Sequence, residues 1–333
     1  MTEDMVSIII PAYNAAQYIG DTINNLLAQS VDKEIIVVDD GSTDNTREIV
    51  ESCANMNKNI KYYYQPNSGV SSARNLGIKK SSGDYIIFVD SDDFLADGIL
   101  SRCVQQMKGD VDCVIFAFQC LDPHNRIVRT VKYLPTGLYD MNTFCQNFHH
   151  LVLTSIINCI GTKLYRAAII KDRGLSFNEE ISYCEDISFC LNYLEGISHV
   201  YFINEPAYKY MFVNPFSLMK KTKQNFHIAQ QYLHVVEERF LRRVFGTNFP
   251  EYEFSKCLYT DTKLCLSNVF ESTNFDKQIA NETMHYLSDS KYTVYAYSHL
   301  YRSPQAFLLY RCILRRWYTP IVLFYKIRKY IRR

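Results

Sequence analysis

No stretch of this chain approaches the roughly 18 apolar residues that a spanning helix requires, and the amino terminus, MTEDMVSIII, lacks a basic n-region and an apolar run long enough for a signal peptide. The expectation is a cytoplasmic protein. Among the eleven cysteines there is no C-x-x-C pair and no close Cys/His cluster, and an odd number cannot all pair within one chain. This excludes a zinc site or disulfide framework and leaves reduced, mostly core cysteines. Internal repeats and low-complexity tracts are also missing. Acidic residues are absent from Ser290 onward, where ten Lys or Arg occur, so the first 289 residues hold the other 26 basic side chains against all 35 acidic ones. The net charge of +1 therefore hides a basic tail on an acidic body.

What is present is an ordinary globular composition. With 333 residues, 47% hydrophobic and 21% charged, the chain can bury a large core, and its length suits one large domain or two unequal ones. VSIII (6–10) and EIIVV (34–38) are continuous apolar runs that read as fully buried strands, and Ile19, Ile23, Leu26 and Leu27 recur at helical spacing between them. STDNTREIVESC reads as a capped helix, KYYYQ and YIIFV as two further strands, and VSSARNLGIKKS as the helix between these. Such alternation predicts an α/β fold with a largely parallel sheet flanked by helices. A helix near 96–107 and a strand DCVIFAF follow, and residues 123–137 read as a hairpin or a binding loop. From residue 224 the chain reads as mostly helical. The expected organisation is a sheet domain over 1–215, with halves 1–110 and 111–215, and a helical extension over 216–333.

The segment YIIFVDSDDF (85–94) sets three aspartates within four positions directly after a buried strand. In open α/β sheets, ligands bind in the crevice at the carboxyl ends of the strands. Three strands end there in special residues: PAYN, DDGSTD and DSDD. Carboxylates gathered in one crevice repel one another unless a hard divalent cation, Mg²⁺ or Mn²⁺, joins them, and such an ion commonly bridges to phosphates. A diphosphate ligand is the natural expectation.

VSIIIPAYN, EIIVVDDGSTDNT and NSGVSSARNLGIKKSSGDYIIFVDSDD, in this order and spacing, resemble the family 2 glycosyltransferases, inverting enzymes of the GT-A fold. The resemblance is dense over residues 5 to 110. It thins through GTKLYR (161–166), CEDISF (184–189) and YKYMFVNPFS (208–217), and the helical extension matches little. It implies a nucleotide-sugar site in which Pro11, Ala12 and Tyr13 line the cleft and Asp40 accepts a hydrogen bond from a uracil or thymine imide. Arg74 and Asn75 would face the nucleotide. Asp90 would hold sugar or ribose with Ser91 beside it, and Asp92 would be the metal ligand. Asp93 is implied as a supporting residue or helix cap, and Asp44 reads simply as a cap. For Asp40, Arg74 and Asn75 the competing readings are turn, cap or surface residues.

Inverting transfer needs one group that deprotonates the acceptor hydroxyl. The resemblance assigns this to Asp186, with Glu185 second, although acids at a helix start are also favoured by the dipole. Departures from the family pattern are Thr162 before Lys163, where relatives carry asparagine, and Met211, with Lys209 nearby, where an arginine is common. Both lysines read as assistants to diphosphate or acceptor, or as surface residues. In the tail, 303–333, a helical projection sets Leu323, Phe324, Ile327, Tyr330 and Ile331 opposite Lys326, Arg328, Lys329, Arg332 and Arg333. This suits a helix lying on anionic lipid at the inner face of the cell membrane, or one packed on the catalytic domain. Nucleic acid is not an expected partner. The resulting expectation is a metal-dependent transferase of the hexosyl type, moving sugar from a UDP- or dTDP-sugar to a glycan or lipid-linked acceptor in capsule or O-antigen synthesis. The alternatives are a sugar-nucleotide-binding pseudoenzyme or a sugar-1-phosphate nucleotidyltransferase, and PAYNAAQY lacks the Gly-rich basic loop of the latter.

Overall fold

The computed structural model describes residues 4–211, 226–270, 277–300 and 303–331. The side chains of Lys326, Arg328, Lys329, Tyr330 and Ile331 and all of Arg332 and Arg333 lie outside the described residues. The whole projected basic face is thus outside them, as is the stretch around residue 215, where the sequence suggests a boundary. The chain divides into two compact units, Met1–Gln146 with Thr154–Pro215, and Asn147–Leu153 with Phe216–Arg333.

The first unit is a ten-stranded sheet flanked by helices. Strands β1 (Val6–Ala12), β2 (Lys33–Asp39), β3 (Ile60–Tyr64) and β4 (Tyr85–Phe88) lie in the order β3-β2-β1-β4, all parallel. Both β1 and β2 are buried along their whole length, which is why they read as unbroken apolar runs. Helices α1 (Ile19–Leu27), α2 (Thr46–Met56) and α3 (Val70–Lys80) make the crossovers. At Gly77 an added Cβ would lie 2.3 Å from Cγ2 of Ile9, so the glycine lets α3 press directly onto β1. Arg74, one turn earlier, is thereby held at depth.

The rest of the sheet departs from the largely parallel expectation. β5 (Phe94–Leu95), β6 (Cys113–Leu121), β7 (Ile127–Val131), β8 (Gly137–Asp140), β9 (Lys163–Arg166) and β10 (His199–Met211) extend it. Only β6 and β10 run parallel here; β9 is antiparallel to both β4 and β6, and β5, β7 and β8 are antiparallel additions. A short apolar run carries no direction, and the route of the chain sets it. Segment 123–137 contributes the β6–β7 hairpin, whose turn places Asn125 at φ 60. Helices α4 (Ile99–Gln106), α5 (Met141–Phe144), α7 (Ala167–Asp172) and α8 (Glu185–Leu194) complete this unit.

The second unit is helical: α6 (Phe148–Thr154), α9 (Phe226–Phe245), α10 (Glu251–Phe270), α11 (Lys277–Asp289), α12 (Lys291–His299), α13 (Pro304–Leu314) and α14 (Tyr318–Ile331). The segment from Asn147 joins it because Phe148 packs on Phe240 at 5.7 Å and the His149 ring bonds Thr260 at 3.0 Å. Ser303 caps α13 with Pro304 in its first turn, the favoured chemistry for a helix start. Its core includes polar groups: His234 Nε2 lies 3.1 Å from Asp261 Oδ2, and Glu237 is fully buried with no hydrogen-bond partner on either oxygen among the described residues.

Candidate active site

The carboxyl ends of β2, β1 and β4 lie side by side, and the chain spends hydrogen bonds to fix the loops that leave them. After β1, Asn14 adopts φ 50, and its Oδ1 accepts from the Thr43 N–H at 2.8 Å while its own N–H donates to Ser42 Oγ at 2.9 Å. Asp39 accepts from the Ser42 N–H and the Tyr62 hydroxyl. Asp44 accepts from the Ala16 and Thr46 N–H groups, which is a local structural role. Pro11 and Ala12 are buried in β1, and Tyr13 stands 52% exposed at its end.

Asp40 is more constrained than the sequence suggests. Its carboxylate accepts from Gln65 Nε2 (2.7 Å), Ser68 N–H (2.8 Å) and Gly69 N–H (2.9 Å) and is 5% exposed. It holds the 65–69 loop against the strand end. Lone-pair capacity is left chiefly on Oδ2, which takes only the Gly69 bond.

At the end of β4 the three aspartates have three different environments. Asp93 is fully buried and accepts from the Tyr208 hydroxyl (2.6 Å) and the Met211 N–H (2.8 Å), so it ties β4 to β10. Burial, with the Asp90 and Asp92 charges adding, pushes its carboxyl well above the usual range. Tyr208 is itself pinned: a Cβ on Gly161 would lie 2.2 Å from its ring. Asp92 is half-buried, and burial followed by the Asp90 charge raises its carboxyl to about 6. Asp90 pairs with Arg74. Ser91 sits between them, its carbonyl accepting the Thr22 hydroxyl at 3.0 Å.

Arg74 is the hub. It is 3% exposed, and its two terminal nitrogens reach different carboxylates: one Asp186 Oδ1 at 2.5 Å, the other Asp90 Oδ1 at 3.0 Å. The guanidinium lies 5.3 Å from the Phe177 ring, which stacks on Phe189 at 4.2 Å, with Phe88 edge-on to both. Asp186 stands in the first turn of α8, after Cys184 at φ 64, with Glu185 beside it. Burial pushes the Asp186 carboxyl up to about 7; Arg74 opposes this, while Glu185 and Asp90 add to it. Burial of the carboxyl thus outweighs the opposing Arg74 cation.

Several expectations require correction. Asn75, expected at the nucleotide, has its amide engaged within the protein. Its amide closes on the backbone of Phe177, donating to the carbonyl at 3.0 Å and accepting from the N–H at 2.8 Å, and it donates to Glu179 at 2.8 Å. Lys163 is neither a surface residue nor a ligand group: it is fully buried, its ammonium donating to the carbonyls of Ile156 (2.9 Å) and Cys159 (2.7 Å). Thr162 is buried beside it, donating to the Cys159 carbonyl. Lys209 lines a separate cavity of about 400 Å³ with Asn25, Phe94 and Gln119. Side chains alternate along a strand, so Lys209 faces away from the Tyr208 side. Sequence reasoning missed Phe177 as the platform under Arg74 and the Tyr208–Asp93 bond, which depend on contacts across 102 or more residues.

Comparison with known proteins agrees with this architecture. Residues 7–172 match the model of "Glycosyl transferase family 2". The uncharacterized glycosyltransferase EpsJ of Bacillus subtilis is 32% identical over 233 residues, covering 68% of this chain and 67% of that protein. An uncharacterized glycosyltransferase of Haemophilus influenzae is 34% identical over 183 residues, covering 53% of this chain and 71% of its own length. Among solved structures, Staphylococcus aureus TarS residues 1–349 in complex with UDP-GlcNAc superposes with a TM-score of 0.71 at 22% identity, over 88% of this chain and 81% of that one. The sheet unit thus has the GT-A type of fold, and the site it carries is that of a sugar-transferring enzyme. The chain belongs to the family 2 glycosyltransferases.

Proposed function

We propose that the enzyme moves a sugar, with inversion, from a UDP- or dTDP-sugar to a glycan or lipid-linked glycan acceptor in bacterial cell-surface polysaccharide synthesis. The observation that carries this reading is the linkage of Asp90 and Asp186 through Arg74, each by a single oxygen. The second oxygen of each is left for a ligand: a donor sugar or ribose at Asp90, an acceptor hydroxyl at Asp186. With its carboxyl near 7, Asp186 is poised to accept a proton at neutral pH. Glu185 is the neighbouring alternative. Pro11, Ala12, Tyr13 and Asp40 would border the nucleotide, and the complex of TarS with UDP-GlcNAc supports that donor class.

A divalent cation, Mn²⁺ or Mg²⁺, fits the acidic strand end. Burial and the charge of Asp90 disfavour a negative charge on Asp92, and a cation there relieves both. Among the described residues no group of three or more His, Cys, Asp or Glu side chains is arranged to hold a metal alone. Asp92 would therefore hold the ion together with donor phosphates, as is common for Mg²⁺. When bound, the ion supplies charge compensation to the departing diphosphate. A screen of nucleotide sugars by thermal shift tests the reading: one UDP- or dTDP-sugar should stabilise the protein only with the divalent ion present. No stabilisation by any of them would count against it.

Attachment to an anionic membrane at its cytoplasmic face completes the proposal. Ile321 and Tyr325 of α14 are buried in the helical unit, whereas Leu323 (57%), Phe324 (59%) and Ile327 (50%) are exposed on a segment rich in Lys and Arg. Among the described residues no helix is long and apolar enough to cross a membrane. An interfacial helix needs only an exposed apolar face with basic neighbours. Replacing Leu323, Phe324 and Ile327 by Ser should release the protein from anionic vesicles without lowering its melting temperature. Deleting 303–333 is a poorer test, because it would also remove the buried Tyr310, Ile313 and Tyr325.

A further inference from the structure

We propose that Arg74 is a positioning residue, which fixes the donor-side carboxylate of Asp90 and the base Asp186 to each other, and not a nucleotide ligand; this rests on the transfer reading above. The two aspartates it joins are 16 and 112 residues away in sequence and belong to different elements, the end of β4 and the start of α8. Among the described residues no other hydrogen bond joins those two carboxylates. Guanidinium geometry suits the task, because its terminal nitrogens diverge in one plane and each can serve a separate carboxylate, whereas a lysine ammonium is a point charge on a flexible stem.

The burial of Arg74 argues against a ligand-binding role. At 3% exposure, with its Nε buried and without an acceptor, the cation is turned into the protein. Its depth is set by the close approach of α3 to β1 at Gly77 and its plane by Phe177. Phe177 is in turn held by the Asn75 amide, so the adjacent residues of the ARNLG segment act together: one carries the charge, the other clamps the ring beneath it. The charged and titratable groups around Asp186 are Arg74 from α3, Asp90 from the β4 end, Glu185 from α8 and Lys163 from β9, with the thiols of Cys159 and Cys190 nearby. Among the described residues, Arg74 is the one of these that hydrogen-bonds Asp186.

The test is a carboxyl NMR titration of aspartate-labelled protein, with Asp186→Asn identifying the Asp186 signal. In Arg74→Gln the Asp186 midpoint should rise by about one pH unit or more, since its opposing cation is gone. Arg74→Lys, which keeps the charge and is the variant to read if Arg74→Gln does not fold, should retain the midpoint to within a few tenths but lose turnover because it cannot reach both oxygens. The affinity for UDP with Mn²⁺ should change less than about threefold in either variant, while kcat falls at least tenfold. An unmoved Asp186 midpoint in folded Arg74→Gln would overturn the proposal, as would selective loss of UDP affinity with kcat preserved. Should the wild type neither bind UDP with Mn²⁺ nor release UDP from any UDP-sugar, the transfer reading fails, and the titration still decides whether Arg74 governs Asp186.

Discussion

Glu34 of the sheet unit and Glu237 of the helical unit are buried acids with opposite surroundings. In the sheet unit three buried ions are held by partners: Glu34 accepts from Ser7, Lys61 and Ser82, Lys163 donates to two carbonyls, and Arg74 bridges two carboxylates. In the helical unit Glu237 is equally buried but bare. Burial and the nearby Asp261 charge push its carboxyl well above the usual range, so its neutral form is favoured in the core. The contrast shows where the fold invests in fixed charge. Partnered ions specify geometry, and a bare buried acid specifies none and lowers stability.

Perturbing the site should give the largest effect. Asp92→Ala is expected to abolish most Mn²⁺-dependent UDP binding, on the order of a hundredfold in affinity, as read by calorimetry. Unchanged Mn²⁺-dependent affinity in a folded variant would remove Asp92 from the metal role.

Next come the stabilities of the two buried acids, which should move in opposite directions. Burial works against ionisation of Glu34, yet the hydrogen bonds from Lys61, Ser7 and Ser82 outweigh it and hold the carboxyl down to about 2. Its contribution is therefore present above the unfolded carboxylate range and is lost as the pH falls toward 2. Glu34→Gln should cost about 2–3 kcal/mol at neutral pH and progressively less in acid. Glu237 has the raised sign: its neutral form is favoured in the fold, so its contribution is full below about pH 4 and is lost as the pH rises. Glu237→Leu should raise stability by about 1–3 kcal/mol at pH 7 and by much less in acid. Denaturant midpoints at both pH values, read on the two variants, check the pair; shifts of the same sign would dissolve the contrast.

A smaller, local effect is expected at Gly161. An alanine there meets the Tyr208 ring and must displace it, with a cost of about 1–3 kcal/mol in unfolding free energy. Relief of that cost by Tyr208→Phe would argue instead that the hydroxyl, not the ring, is the constraint.

Local pattern made half of this molecule legible. The buried runs of β1, β2 and β4 and the acids that follow them could be read because a fully buried strand and its polar terminus are written in consecutive residues. The direction of β9, the closure of Tyr208 on Asp93 and the Arg74 bridge could not, since each depends on segments 70 or more residues apart meeting in space. Asn75 and Lys163 misled for a related reason. A polar residue beside a ligand motif looks the same in sequence whether it faces the ligand or holds up the loop that does. In α9 the sequence reads only as helical, and packing decides that Glu237 is buried while Glu238 pairs with Arg242.

The central claim is that Asp186 removes the acceptor proton while Asp90 and Asp92 serve the donor. The most direct measurement compares Asp186→Asn with the wild type in two assays on the same preparation, UDP affinity with Mn²⁺ and the pH dependence of UDP-sugar turnover. The account predicts wild-type turnover that falls on the acid side of about pH 7 as Asp186 becomes protonated, and a variant that binds UDP normally but turns over at least about a hundredfold more slowly at every pH. A variant that transfers at a near-normal rate with the same acid limb would contradict it and move the base to Glu185 or another group.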